Sequence, residues 1–274
     1  MASKLIPPSP ADVMVIRNVT PNIVTCSVPF ARFGRVRIGG RATIVRLTSG
    51  ALAVFSPVAL TPDVSAKLAS MGNDLKYIAA PDMEHHIFLG EWHQAYPGAH
   101  IIGPQGLEEK RAADPEMAEV ALTTAFSADN KATLRIGGDF DADFDYEFVD
   151  AHPNKELVFY YRPDRTLIQA DYFFNLPATE QYSRTPDAAN KGFLTKFFGS
   201  LNSTHGKALG QRRLLWYGMS SSNRQAYNAS ARRIDTWDFD RIIPCHGDVI
   251  ETDGKQVFRK LFAWHLQALA GKST

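Results

Sequence analysis

Three features of the sequence predict an α/β sandwich with a helical insertion in its C-terminal half. Up to about residue 60, short runs of branched and aromatic residues are split by turn signals; strand-like and helix-like periods then alternate; beyond Asp171 the texture becomes helical. With 274 residues, 45% of them hydrophobic, the chain can bury a large core as a single domain over 1–274.

Val13 to Asn18, Ile23 to Val28, Thr43 to Leu47 and Leu52 to Phe55 read as strands, separated by Thr20-Pro21-Asn22, Gly39-Gly40 and Ser49-Gly50. Thr61-Pro62-Asp63 opens a helix whose face carries Val64, Leu68 and Met71 and which Gly72 stops. The apolar run Leu75 to Ala80 is short enough for a buried strand. It breaks at Pro81 into Asp82-Met83-Glu84-His85-His86, and a helical pattern resumes from Phe88 to Tyr96 before Pro97-Gly98. His100 to Ile102 is a short strand and Pro104 to Ala113 a further helix.

In the second half, Phe140, Ala142, Phe144, Tyr146 and Phe148 alternate with Asp141, Asp143, Asp145 and Glu147, which predicts one strand with a buried face and an acidic solvent face rather than a calcium site. Glu156 to Tyr161 and Thr166 to Ala170, joined by Arg162-Pro163-Asp164-Arg165, form a hairpin ending at Asp171. A helical cap or insertion is expected at about 178–237: Phe193, Leu194, Phe197, Phe198 and Leu201 mark the packed face of one helix, and Leu209 to Tyr217 and Ala226 to Ile234 read as others. Phe239 to Asp248 is a strand running into a His-Gly turn. A last helix presents Val257, Phe258, Leu261, Phe262, His265 and Leu269 to the sheet.

Composition excludes several classes. No apolar run approaches the roughly 20 residues that span a bilayer, and Met1 to Pro8 lacks the apolar core of a signal peptide, so a soluble cytoplasmic protein without a membrane partner is expected. Cys26 and Cys245 imply no disulfide framework and read as buried thiols. Net charge is +1, but Asp139 to Asp150 holds six acids and no base, whereas Arg184 to Arg233 holds nine Lys or Arg against the single acid Asp187. The basic run reads as solvated helix faces or as a positive lid over an anionic small-molecule substrate.

After packing and turns are accounted for, His85, His86, His152, Asp171 and His246 remain, each where a predicted strand meets a loop. Imidazole and carboxylate together suit zinc first, and also iron or manganese. A divalent ion with three or four such ligands and one open position can bind and acidify water.

The order of these motifs resembles the metallo-β-lactamase superfamily over residues 40 to 270. In that αββα fold a His-x-His-x-Asp-His motif follows a strand, a histidine precedes a later hairpin, an aspartate ends it, and a last histidine lies in a His-Gly turn. The matching stretches are Pro81 to His86, His152 in Asp150-Ala151-His152-Pro153, Asp171 in Ile168-Gln169-Ala170-Asp171, and His246 in Ile243-Pro244-Cys245-His246-Gly247-Asp248. The family's first two histidines fall on Pro81 and Met83, which cannot replace them, so two ligands of the first metal site are absent; what remains resembles the second site, with His85 standing where the motif has its aspartate. The resemblance implies a divergent branch with one metal ion held by His85, His86, Asp171 and His246, and with His152 a fifth ligand, an outer partner or a substrate contact. Glu84 is a further ligand candidate.

The resemblance then implies hydrolysis of a small ester, lactone, thioester or amide by hydroxide that the ion supplies at neutral pH. Asp82 or Glu84 would serve as base or orient the water, unless they cap the following helix, and Tyr172 would meet an oxyanion. The alternatives are a single-iron oxidoreductase or another non-hydrolytic enzyme, and a metal-free binding protein. A nuclease is disfavoured because phosphodiester cleavage in this fold relies on two ions roughly 3.5 to 4 Å apart.

Overall fold

Strands whose alternate residues are all apolar need cover on both faces, and this chain provides it by stacking two sheets and lining each outer face with helices. The computed structural model describes residues 7–186 and 188–268; Met1, Asp187 and Leu269 lie outside them. In chain order, α1 (Pro10–Val13), β1 (Val15–Asn18), β2 (Ile23–Val28), β3 (Ala31–Arg32), β4 (Val36–Arg37), β5 (Gly40–Arg46) and β6 (Leu52–Phe55) come first. Next are α2 (Pro62–Ser70), β7 (Leu75–Ala79), α3 (Leu89–Ala95), β8 (His100–Pro104), α4 (Leu107–Ala112) and β9 (Thr124–Phe126). The second half holds α5 (Gly138–Asp143), β10 (Phe144–Val149), β11 (Glu156–Tyr161), β12 (Thr166–Gln169), α6 (Phe193–Leu201), α7 (Leu209–Arg213), α8 (Arg224–Ile234), β13 (Arg241–Pro244), α9 (Gly254–Leu261) and α10 (Ala263–Gln267).

One sheet runs β1-β2-β5-β6-β7-β8-β9, the other β10-β11-β12-β13, and β3 and β4 form a separate small hairpin. The period-2 rule sorts the side chains. In β6, Ala53 and Phe55 enter the core between the sheets, whereas Leu52 and Val54 meet Val64, Leu68, Leu89 and Trp92 of α2 and α3. In β11, Leu157, Phe159 and Tyr161 point between the sheets, and Val158 and Tyr160 point to Tyr227, Ala231 and Ile234 of α8 and Phe258 and Leu261 of α9. The result is the helix-sheet-sheet-helix sandwich that the sequence predicts. Among the described residues no helix is long and apolar enough to cross a membrane.

The predicted strand over 140–148 is only half a strand. Residues 138–143 form α5 and β10 starts at Phe144. Gly137 and Gly138, both at positive φ, turn the chain, and the Asp143 carboxylate is bound by Thr48 through its N–H at 2.6 Å and its Oγ1 at 2.8 Å. The acidic side is only partly open to solvent: Asp145 is partly exposed beside Arg162, but Glu147 is buried under α8, where it accepts from Ser230 Oγ at 2.6 Å and pairs with Arg233 at 3.0 Å.

The helix over Phe193–Leu201 forms, but only part of its predicted face packs: Phe198 meets Phe174, while Phe193, Leu194 and Phe197 do not pack inward. Its buried residue is Thr195, whose Oγ1 accepts from Arg37 N–H and donates to Arg35 O, so α6 rests on the β3–β4 hairpin, and Phe193, Leu194 and Phe197 face outward. Farther on, α7 continues as a π-helical turn over Leu214–Met219, and the last predicted helix breaks at Phe262 into α9 and α10. Neither the β3–β4 hairpin nor β9 is foreseen by the sequence patterns.

Candidate metal centre

Three strand ends bring His85, Asp171 and His246 into one neighbourhood, with His246 Nε2 3.1 Å from His85 Nε2 and 3.1 Å from Asp171 Oδ1. After β7, Pro81 stops the ladder and Asp82 turns the chain: its Oδ1 accepts from the N–H groups of Glu84 at 2.7 Å and His85 at 2.8 Å, and from His85 Nδ1 at 2.8 Å. The last bond fixes the ring so that Nε2 faces inward. Parallel neighbours β12 and β13 emerge on the same side, which brings Asp171 and His246, each two residues past its strand, together. Asp171 is held from behind, because the fully buried Glu156 carboxylate accepts from the N–H groups of Ala170 at 2.7 Å and Asp171 at 3.0 Å.

The His246 turn is tightly specified. Gly247 sits at φ +90°, and a Cβ there would lie 2.1 Å from Asn175 O, so only glycine fits. His246 Nδ1 donates to Gly39 O at 2.6 Å, and the rings of Phe30 and Phe174 flank it. Both imidazoles therefore spend their Nδ1 hydrogens on fixed acceptors and point their Nε2 atoms at one another across 3.1 Å. Asp171 Oδ1 lies 3.1 Å from His246 Nε2, is buried and has no hydrogen-bond partner, while Oδ2 accepts from Asn154 Nδ2 at 2.6 Å. Donor atoms of His85, Cys245 and His246 lie within 4.8 Å of one another, as do those of Asp82, His85 and Asp171.

Charge matches this geometry. Burial pushes the His85 imidazole down, but Asp82, Cys245 and Asp171 outweigh it and hold His85 well above the ordinary histidine range. Burial also opposes ionisation of Asp171, yet His85 and His246 keep it well below the usual carboxylate range. Against the same burial cost, the two histidines bring the Cys245 thiol down to about 7. Without a metal, a proton held by His85 relieves the two facing lone pairs. A cation would do the same and satisfy Asp171 Oδ1 as well.

The other predicted residues are placed elsewhere. His86 is not part of either donor group; its Nδ1 meets Arg111 Nη1 at 3.2 Å, and burial, with Lys110 and Arg111, lowers it to about 4. His152 is buried beside Tyr172 and Tyr227. Its Nδ1 accepts from Asn154 N–H at 3.2 Å, and its buried Nε2 lies outside both donor groups. Glu84 turns outward to Lys110 Nζ at 2.7 Å. Asp82 Oδ1 holds the turn and the His85 ring rather than capping α3, and Tyr172 is fully buried among Tyr227, Phe258 and Phe262, where burial raises its hydroxyl well above the ordinary range.

Three contributors escape the sequence patterns: Cys245, Asn154 and Arg41. Cys245 shares the turn with His246, and that adjacency is the one signal that could have flagged it. Asn154 follows His152 in a turn, and Arg41 is a lone cation in the otherwise uncharged run Gly40 to Val45.

The family described as "Domain of unknown function (DUF4336)" matches residues 32–192. The chain belongs to the DUF4336 family. The matched segment includes His85, Asn154 and Asp171 but ends before Cys245 and His246, so the DUF4336 region supplies part of the cluster and the later strand β13 the rest. No curated protein matches the sequence. Among solved structures, a metallo-β-lactamase from Pontibacter korlensis superposes with a TM-score of 0.56 at 9% identity, covering 93% of this chain and 100% of that one. A metal-soaked flavodiiron core from Synechocystis gives 0.58 at 13% identity, covering 92% of this chain and 60% of that one, and a flavo di-iron protein variant from Thermotoga maritima gives 0.57 at 12%, covering 92% and 61%. This DUF4336 chain thus has the metallo-β-lactamase fold and spans about three fifths of the flavodiiron chains.

Proposed function

We propose that this protein is a single-metal enzyme whose divalent ion is held by His85 Nε2, His246 Nε2 and Asp171 Oδ1, with Cys245 Sγ as a fourth donor. The observation that carries the reading is the pair of facing Nε2 atoms 3.1 Å apart beside a buried, partnerless carboxylate oxygen. A proton on His85 can join the two imidazoles, but it leaves the buried Asp171 Oδ1 without a hydrogen-bond partner, whereas a metal ion would serve all three donors. The mixed N, O and S donor set fits zinc, with iron or manganese as alternatives.

When bound, a divalent ion there would polarise a carbonyl group and acidify water, the chemistry of hydrolysis. The chain's own residues do the positioning. Asp82 and Gly39 O fix the two rings, Asn154 fixes Asp171, and Phe30 and Phe174 shield His246 from water. Arg32 Nη1, 3.8 Å from Asp171 Oδ2 and partly exposed, is placed to meet an anionic group on a substrate. On this reading the substrate is a small ester, lactone, thioester or amide. A single-iron redox enzyme is the second reading, supported by the fold shared with proteins described as flavodiiron and by the thiol near the donors.

Metal analysis of protein purified without chelator or added metal tests this directly. About one divalent ion per chain is expected, falling close to zero in His246→Ala and Asp171→Asn. Acid release from a panel of esters, lactones and thioesters by the zinc or manganese form supports hydrolysis; oxygen-dependent turnover by the iron form supports the redox reading. Metal-free wild-type protein that also fails to take up zinc on titration would sink both.

A further inference from the structure

We infer that α6 and the α7 segment after it form a docking surface for an anionic lipid bilayer, independent of the metal reading. Large apolar side chains are normally covered, yet Phe193 is 81% exposed, Phe197 56% and Leu194 50%, all on the side of α6 turned away from the protein. Phe193 and Phe197, one helical turn apart, stack on each other. Leu209 of α7 and Tyr217 of the π-helical turn are exposed as well, Tyr217 beside Trp264. The β3–β4 hairpin, to which Thr195 binds α6, carries at its tip Phe33, 80% exposed.

Charge selects the occupant. Residues 188–233 contain eight Lys or Arg and no Asp or Glu. Arg212, Arg224, Arg232 and Arg233 are committed to Trp264, Trp216, the His265 and Ala268 carbonyls and Glu147, but Lys196 lies on the exposed side of α6 between the two phenylalanines, and Lys207 and Arg213 are exposed on the neighbouring segment. A second copy of this chain docking here would set these cations against their own kind. A bilayer with anionic headgroups instead neutralises them while accepting the aromatic rings at its interface, the arrangement of an interfacial amphipathic helix. The contact lies on the surface and crosses nothing, in keeping with the lack of a spanning helix among the described residues.

The test is co-sedimentation of the full chain with phosphatidylcholine vesicles and with vesicles that also contain phosphatidylglycerol, at low and high salt. Binding to the anionic vesicles that weakens as salt rises is expected. The double variant Phe193→Ser/Phe197→Ser is expected to weaken that binding at least about tenfold, and Lys196→Glu to weaken it by a smaller factor, both without a change in Tm, since the replaced side chains are exposed. No binding to anionic vesicles, or equal binding by wild type and the double variant, overturns the inference. So does a concentration-dependent dimer that the double variant abolishes, because the occupant is then a second copy.

Discussion

A candidate ligand is only as well placed as the residue behind it, and behind His246 stands Arg41. Its guanidinium is fully buried and donates through Nη1 to Pro244 O and Gly247 O, both at 2.6 Å, so it brackets Cys245 and His246. Nε donates to Ser27 Oγ at 2.9 Å, and Nη2 lies 3.3 Å from Glu180 Oε1. The Arg41 backbone meets the Cys245 thiol, donating from N and accepting at O, each at 3.4 Å. Arg41→Met removes every side-chain bond at once and leaves Glu180 and two carbonyls without this donor. A loss of roughly 3 to 5 kcal/mol is expected from urea unfolding. Metal content per folded chain should fall too, although Arg41 touches no ion. Unchanged stability in that variant would remove Arg41 from this role.

Elements that can be read from their own residues were legible; elements defined by what they pack on were not. Helix α2 belongs to the first group. Thr61 Oγ1 accepts from Val64 N–H at 3.3 Å, Pro62 opens the helix, and Val64 and Leu68 are buried as the spacing foretells. Thr61→Ala should accordingly cost about 1 kcal/mol, read as a lower urea midpoint at unchanged slope. Helix α6 belongs to the second group, since periodicity shows that an apolar stripe exists and not which side has a neighbour. The 138–143 segment failed for a related reason: alternation continues through residues that Gly137 and Gly138 have already turned out of the sheet. The site divides in the same manner. His85, Asp171 and His246 could be singled out as candidates because each follows a strand end, whereas Arg41 acts from the start of β5 through contacts some two hundred residues away in sequence.

At the scale of the whole molecule, the outer helical layer makes stability depend on pH through a histidine distant from the candidate centre. His265 on α10 is fully buried, 5.0 Å from Trp216 and 5.1 Å from Tyr227 between ring centroids, with Nε2 3.2 Å from Ser220 Oγ. Burial, reinforced by Arg224, lowers it to about 4, so it is neutral in the folded protein at pH 5, while in the unfolded chain it regains its ordinary value near 6.5 and is charged. Between these values the unfolded state binds the extra proton. Stability is therefore fully present above about pH 6.5 and declines as pH falls towards 4, by roughly 2 kcal/mol at pH 5. His265→Leu removes that term. Its urea-derived stability should differ less between pH 7 and pH 5 than that of the wild type, by about the same 2 kcal/mol. An equal pH difference in the two proteins would mean that the acid sensitivity arises elsewhere.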